Sequence, residues 1–250
     1  MSLATPFTNE VPCARCPLRE CEVFRTLSDD EVEFVQSLKT GELRMGTGAT
    51  LLHEGQQSDH LFTLLEGWAF RYKTLSDGRR QITNFLLPGD FVGLQGSMQG
   101  AMEHSVETLS PAAFCTFPRN RVWELYKRCP SLAFDLTWLA ATEQRILDEN
   151  LLSVGRRSAE ERAAYYLLHL YVRAGDIGLV TEGRVRFPFT QQHLADAIGL
   201  SLVHTNKTLK RLGRRGLIQW EHGWFFLPDV AALAEVAKFD LDAPRKRPLL

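Results

Sequence analysis

Cysteine carries the most reactive side-chain chemistry in this 250-residue chain. Cys13-x2-Cys16-x4-Cys21 groups three thiols near the start, and Cys115 stands far downstream. Thiolates are soft ligands, suited to iron–sulfur clusters or zinc. Three clustered sulfurs and one remote sulfur can close a four-ligand site. The alternative is a set of structural thiols that hold no metal. Cys129, just before Pro130, does not match a ligand and reads as a buried or incidental thiol.

A second constellation is suited to a polyanion. Thr190 reads as the N-cap of a short helix, its hydroxyl accepting from a free amide of the first turn. Leu194 and Ile198 share one face, Ala195 is small where a second helix would cross, and Gly199 can take the positive φ that ends the helix. Ser201 caps the next helix. There Thr205, Leu209 and Leu212 fall on one side, and Val203, His204, Asn206, Lys207, Lys210, Arg211 and Arg214 on the others. No acidic residue occurs between Asp196 and Glu221. A helix-turn-helix offers its second helix to base edges in the major groove. Lys207 can donate to guanine and Asn206 can pair with adenine. Lys210, Arg211 and Arg214 suit phosphates, which give affinity without sequence information. Gly216-Leu217-Ile218-Gln219-Trp220, His222-Gly223 and Trp224-Phe225-Phe226-Leu227 then read as two apolar strands and a turn, the wing of a winged helix. An amphipathic helix with a solvated basic face would explain the helix alone, but not the turn, the charge pattern and the wing together.

The elements that position these groups follow from pattern. Composition is that of an ordinary globular chain of one or two domains, with a net charge of -1. The charge is split. Residues 156 to 250 hold 15 Lys/Arg and 10 Asp/Glu, so they carry +5 and residues 1 to 155 carry -6. That asymmetry fits a DNA-binding half and a regulatory half. No 18-residue apolar run occurs, so no membrane span is expected. The start, with Glu10 and Pro12, lacks the apolar run of a secretory signal. The expected place is the cytoplasm, where cysteines stay reduced or bind metal.

Residues 1–27 form a Cys- and Pro-rich segment. Ser28 and Glu31 make a capping box for a short helix with Val32, Val35 and Leu38 on its apolar side. From about Met45 to Pro118, short apolar runs separated by Gly, with a hairpin turn at Asp77-Gly78, indicate a barrel or jelly roll. This sensor domain is expected over 28–129. Pro130 opens a helix of roughly 22 residues, ~33 Å long, striped by Leu132, Leu136, Leu139, Ile146 and Leu151. It suits a dimer seam over 130–155, ended by Gly155; packing on its own barrel is the alternative. Ser158 and Glu161 make a second capping box. A DNA-binding domain is expected over 156–240, and 241–250, with Pro244, Arg245, Lys246, Arg247 and Pro248, reads as a loose tail.

The order of these parts resembles the Crp–Fnr family of bacterial transcription regulators over nearly the whole chain. The resemblance rests on Gly48 to Gly55, Leu61 to Gly67, Pro88-Gly89-Asp90-Phe91-Val92-Gly93, Ser158-Ala159-Glu160-Glu161-Arg162 and the helix-turn-helix. It implies an α+β fold: an N-terminal β jelly roll of the cyclic-nucleotide-binding kind, a long dimerisation helix and a C-terminal winged helix-turn-helix. It implies a homodimer that binds palindromic double-stranded DNA and contacts RNA polymerase. Thr190 and Gln192 match family positions that touch phosphates. Val203 stands where members carry a Glu for base contact, and Lys207 where they carry an Arg; Leu202 lies at a contact position too. The expected DNA-contacting set is Thr190, Gln192, Ser201, Val203, His204, Asn206, Lys207, Lys210 and Arg211.

Cyclic-nucleotide-binding members carry a Glu where Leu94 stands here, and an Arg-Ser pair where His104-Ser105 stands. A neutral His cannot replace the guanidinium fork on a phosphate, so no cyclic nucleotide is expected. The oxygen-sensing branch holds a [4Fe–4S] cluster on three clustered cysteines and a remote one. Phe114-Cys115-Thr116-Phe117-Pro118 resembles the segment of the remote ligand, which implies Cys13, Cys16, Cys21 and Cys115 as ligands, although the third spacing is one residue shorter than in the best-known members. Cluster assembly would then order residues 13 to 21 against the roll and shift the long helix toward a dimer, with Asp148 or Glu149 repelling its mate in the apo form. A regulator without cofactor, controlled by expression or by cysteine modification, is the alternative. A cupin-like enzyme on the roll is a distant one: His53 and His60 are seven apart, His104 is alone, and no His-x-His pair, triad or phosphate loop occurs. No enzyme activity is expected.

Overall fold

The computed structural model describes residues 5–6, 11–243 and 246–250; Glu10, Pro244 and Arg245 lie outside the described residues. Strand β1 (Thr5–Pro6) is followed by two 3-10 turns, Cys13–Arg15 and Pro17–Glu20. Helix α1 (Asp29–Leu38) starts on the expected capping box: Ser28 accepts from the Glu31 amide, and the Glu31 carboxylate accepts from the Ser28 amide.

The roll contains β2 (Gly41–Met45), β3 (Thr50–Leu52), β4 (His60–Glu66), β5 (Ala69–Thr74), β6 (Arg80–Leu86), β7 (Phe91–Val92), the short helix α2 (Leu94–Gln99), β8 (Ser105–Thr108) and β9 (Ala112–Pro118). Its sheets run β1-β2-β9-β4-β7 and β3-β8-β5-β6. Inward-facing Phe62, Leu64, Leu86, Val106 and Phe114 form the core, as the period-2 pattern requires. Next come α3 (Val122–Arg128), α4 (Pro130–Arg156), α5 (Ala159–Asp176), β10 (Arg184–Arg186), α6 (Gln191–Ile198), α7 (Leu202–Arg214), β11 (Gln219–Glu221), β12 (Trp224–Phe226) and α8 (Val230–Ala237).

The chain forms two compact units. One takes residues 1–73, 85–144 and 246–250, the other 74–84 and 145–245. In the first, α1, α3 and the start of α4 share Val32, Val35, Leu38, Leu125, Leu132 and Leu136 in a second apolar core. Arg25 ties these helices by donating to Glu31 and Asp135. In the second, α5 begins on the Ser158–Glu161 capping box and buries Ala163, Ala164, Leu167, Leu168 and Leu170.

Four expectations are corrected. Gly155 does not stop α4, which runs 27 residues to Arg156, about 40 Å at 1.5 Å per residue. The Arg157 amide still donates to the Ser153 carbonyl, and its guanidinium to Ser153 Oγ and Glu149, so the last turn stays wound. The division between units falls inside this helix, at 144/145, and not at Gly155. The wing has a third strand, β10, in the order β10-β12-β11. Val185 is the one apolar residue of Arg184–Arg186, too little for a periodic signal, and it is buried. The tail is not loose: Pro248, Leu249 and Leu250 are buried against the roll unit. No helix among the described residues is long and apolar enough to cross a membrane.

Candidate nucleic-acid interface and cysteine segment

Each end of the helix pair in the second unit is fixed locally. The Thr190 hydroxyl accepts from the His193 amide and starts α6. Gly199 closes it at φ 66°, a left-handed conformation that a side chain resists. Ser201 accepts from the His204 amide and starts α7. Buried Thr205, Thr208, Leu209 and Leu212 seat α7 on its neighbours. The opposite side is open. Leu202, Val203, His204, Lys207, Lys210, Arg211 and Arg214 are exposed, with Val203 at 65%. Thr190, Gln192 and Ser201 are exposed as well.

Asn206 differs from the rest. It is half-buried, and its Oδ1 is buried with no hydrogen-bond partner. Half-burial keeps much of this side chain off the open face of α7. Arg211 is drawn aside too: its guanidinium lies 3.6 Å from Glu160, which also pairs with Arg215. Lys207 is the exposed cation on the middle of the outer face.

The bend between α6 and α7 is held by two clamps. Arg162 of α5 donates to the carbonyl of Ile198 at 2.8 Å, to that of Val154 at 2.9 Å and to that of Arg157 at 3.3 Å. A second clamp comes from the hairpin 74–84. Arg80 donates two hydrogen bonds to Asp196 Oδ2, at 3.0 and 2.8 Å, and Gln81 donates to the Ala197 carbonyl at 2.9 Å. Asp196 Oδ1 in turn accepts from the Gln192 amide at 2.6 Å. The carboxylate therefore occupies the amide that would reach a phosphate, and adds a negative charge beside it. Asp196→Asn should raise affinity for any duplex by about two- to fivefold, the scale of one partly exposed charge. The gain should be equal for specific and random DNA in a titration at fixed salt; a gain confined to one sequence would show that Asp196 acts on base reading instead.

The wing turns at His222 and Gly223, both at positive φ. Stacked Phe187, Phe189 and Phe225, with Trp220 edge-on, fill its base. Trp224 is exposed beside this turn and pairs in register with Arg186. The wing pattern makes Trp224 a strand residue, and the register of β10 is what brings it beside a cation.

In the roll, His104 and Ser105 lie at the start of β8, near buried Arg71 of β5. His104 is buried and its Nε2 has no hydrogen-bond partner. Ser105 Oγ accepts from the Glu54 amide. Arg71 is buried and pairs through both terminal nitrogens with Glu143 of α4. Burial, and then the charges of Arg71 and Lys73, push the His104 imidazole down to about 3. An unfolded His binds a proton near pH 6.5, so it takes one up while the folded protein still refuses it. The stability is therefore whole above pH 6.5 and is lost as pH falls from there toward 3, by about 1.4 kcal/mol per pH unit for one proton. Melting curves should show this slope between pH 6.5 and 5, and His104→Gln should flatten it. An unchanged slope in that variant would place the proton uptake on another group.

The cysteine segment meets the roll at a buried lysine. Lys39 Nζ donates to the Val11 carbonyl at 2.7 Å and to Glu42 Oε1 at 2.8 Å, with both side chains almost wholly buried. Cys115 sits on β9 between Glu42 of β2 and Thr63 of β4. The charge of Lys39 reaches Cys13, Cys16 and Cys115, and these three also act on one another. Burial dominates all four thiols of the segment and the roll. It raises Cys13, Cys16 and Cys21 and pushes Cys115 up to about 12, so each is held protonated at neutral pH. Among the described residues, no three His, Cys, Asp or Glu side chains are grouped to hold one metal ion. Cys129 lies apart, against the helical core, with its Sγ 3.5 Å from Ser131 Oγ.

Comparison with known proteins adds to this geometry. Residues 42–129 match a cyclic nucleotide-binding domain, and residues 161–236 match a Crp-like helix-turn-helix domain. The chain is 30% identical over 228 residues to the nitrogen fixation regulation protein FixK of Bradyrhizobium diazoefficiens, covering 90% of this chain and 93% of that one. It is 29% identical to the transcriptional activator protein FnrL of Cereibacter sphaeroides, covering 94% and 97%. The structure of FixK2 from Bradyrhizobium japonicum superposes with a TM-score of 0.72 at 26% identity, covering 79% of this chain and 96% of that one.

Proposed function

Because the chain belongs to the Crp–Fnr family of bacterial transcription regulators, which are DNA-binding proteins and not enzymes, we propose that it is a homodimeric, cytoplasmic regulator that reads a palindromic duplex with α7 and contacts RNA polymerase. The observation that carries this reading is the outer face of α7: Val203, His204, Lys207 and Lys210 exposed, over Thr205, Leu209 and Leu212 buried. Thr190, Gln192 and Ser201 supply the phosphate side of the contact. Two copies of α4 supply the pairing, through Leu147, Leu151 and Val154 on its C-terminal half, all exposed. Selection of the purified protein against random duplexes tests it. An enriched sequence with two-fold symmetry supports the reading, and no enrichment under aerobic or anaerobic conditions would refute it.

The proposed signal is oxygen or redox state. Its support is the donor set: Cys13, Cys16 and Cys115 lie within reach of the charge of buried Lys39, and Cys21 follows on the same segment. Four thiols of this kind suit a soft-metal group, and a nearby cation offsets the negative charge of thiolate ligands. Cys13, Cys16, Cys21 and Cys115 would hold a [4Fe–4S] cluster, which supplies an oxygen-labile group when bound. Loading would strip four protons that burial now retains, so assembly is expected to fall off as pH drops. On α4, Glu149 is engaged by Arg157, which leaves exposed Asp148 as the charge that would oppose pairing. Anaerobic purification with iron and sulfide assay, and DNA binding on the same sample, decides the matter. A colourless protein that binds DNA equally in air would leave the cofactor-free regulator as the function.

Cyclic nucleotide is not part of the proposal. His104 is neutral by burial, Ser105 is engaged by the Glu54 amide, and Arg71 is engaged by Glu143. None of the three offers a free guanidinium fork to a phosphate.

A further inference from the structure

Residues 246–250 occupy a built site on the roll unit. The Arg247 amide donates to the Val23 carbonyl at 2.8 Å, and the Arg25 amide donates to the Arg247 carbonyl at 2.8 Å, making a parallel bridge with Phe24. The Arg247 guanidinium donates to the Gly89 carbonyl at 2.6 Å and to Asp90 Oδ1 at 2.8 Å, and it lies over the Phe24 ring. Phe24 itself rests on Gly89, where any Cβ would collide with its ring. Past Arg247, Leu250 lines an apolar cavity together with Leu38, Leu61, Phe91, Leu125 and Leu136, and the Thr63 hydroxyl donates to its carbonyl.

The partner strand of this segment is the immediate continuation of the cysteine segment. Cys21 and Val23 are two residues apart, and the Phe24 amide donates to the Cys21 carbonyl at 3.1 Å. Arg25, which grips the Arg247 carbonyl, is fixed in turn by Glu31 and by Asp135 of α4.

We propose that residues 246–250 are an intramolecular strap, bound to a peptide site made by Val23–Arg25, Gly89, Asp90 and Thr63 within the roll unit, and energetically linked to the cysteine segment. Order in Cys13–Cys21 then strengthens the strap, and loss of the strap loosens Cys13–Cys21, by the same factor. This linkage does not depend on what the cysteines bind.

Hydrogen exchange on the full chain tests it, with Leu249→Asp/Leu250→Asp, which puts carboxylates at two buried apolar positions, as the strong variant and Arg247→Lys as the mild one. In the wild type, the amides of Arg25 and Arg247 should exchange at least tenfold more slowly than free chain. The double variant should bring both to near free-chain rates and raise maleimide labelling of Cys21 at least threefold, while the β2–β9 amides keep their protection. Arg247→Lys, which keeps the backbone pairing, should give a smaller rise in both. Free-chain exchange at Arg247 in the wild type would overturn the strap, and a freed tail with unchanged Cys21 labelling would overturn the linkage. A photo-crosslinker placed at Leu249 should join residues within one chain; a product joining two chains would overturn the intramolecular assignment.

Discussion

Leu151→Asp should yield a folded monomer that binds its operator about 10²-fold or more weakly than the wild type. Leu151 is 73% exposed on α4, and Leu147, Leu152 and Val154 are exposed around it. A helix of 27 residues with apolar side chains left open near its end has not buried what an amphipathic helix buries. A second copy would cover them. A carboxylate at the centre of that seam would be desolvated without a partner, at a cost of several kcal/mol. The fold should survive, since Leu151 contributes nothing to either apolar core. The loss on DNA arises because the second half-site no longer binds as an intramolecular event, which is commonly a factor of 10² to 10⁴. Sedimentation and a mobility-shift titration on the same sample check both parts. A variant that remains dimeric would show that the seam lies on another surface.

Lys207→Ala should cost about 1–3 kcal/mol on the preferred sequence, or roughly 10- to 100-fold, and should relax preference at one base pair per half-site. Lys210→Ala should behave otherwise: weaker binding to all duplexes alike and a salt dependence shallower by about one counterion per replaced contact. The contrast follows from position. Lys207 lies on the middle of the exposed face of α7, whereas Lys210 is one turn farther from its N-terminus. A recognition helix meets bases mainly with its N-terminal residues and backbone with the rest. If both variants lose affinity equally on specific and random DNA, Lys207 reads no base.

The helix-turn-helix was legible because its signals are local. Thr190, Gly199 and Ser201 act within a few residues, and each does in the fold what its type permits. The same holds for the capping boxes at Ser28 and Ser158 and for the Asp77-Gly78 turn between β5 and β6. What could not be read depends on partners far along the chain. The run from Pro244 to Pro248 has the composition of a solvated tail, and Arg247 is docked by distant partners: Val23, Phe24, Arg25, Gly89 and Asp90. Asn206 sits at a residue type and spacing suited to adenine, but its half-burial depends on the elements packed beside α7 and cannot be read from the spacing. The cysteines show the same limit. Their spacing names candidate ligands, but the buried Lys39–Glu42 pair among them arises from a helix end and a strand that the spacing does not mention.

Arg162 has a mechanical consequence. One planar group grips the carbonyl of Val154 in the last turn of α4, that of Arg157 just beyond it, and that of Ile198 at the elbow before Gly199. Because a guanidinium is rigid and its donors point in fixed directions, those three oxygens move together or the grip breaks. Torsion applied to the final turn of the long helix is thereby geared to the tilt of the reading head, with no need for a message to cross the hydrophobic interior. An ammonium at that position, a single point charge on a flexible stem, would leave the parts intact and disengage the gear.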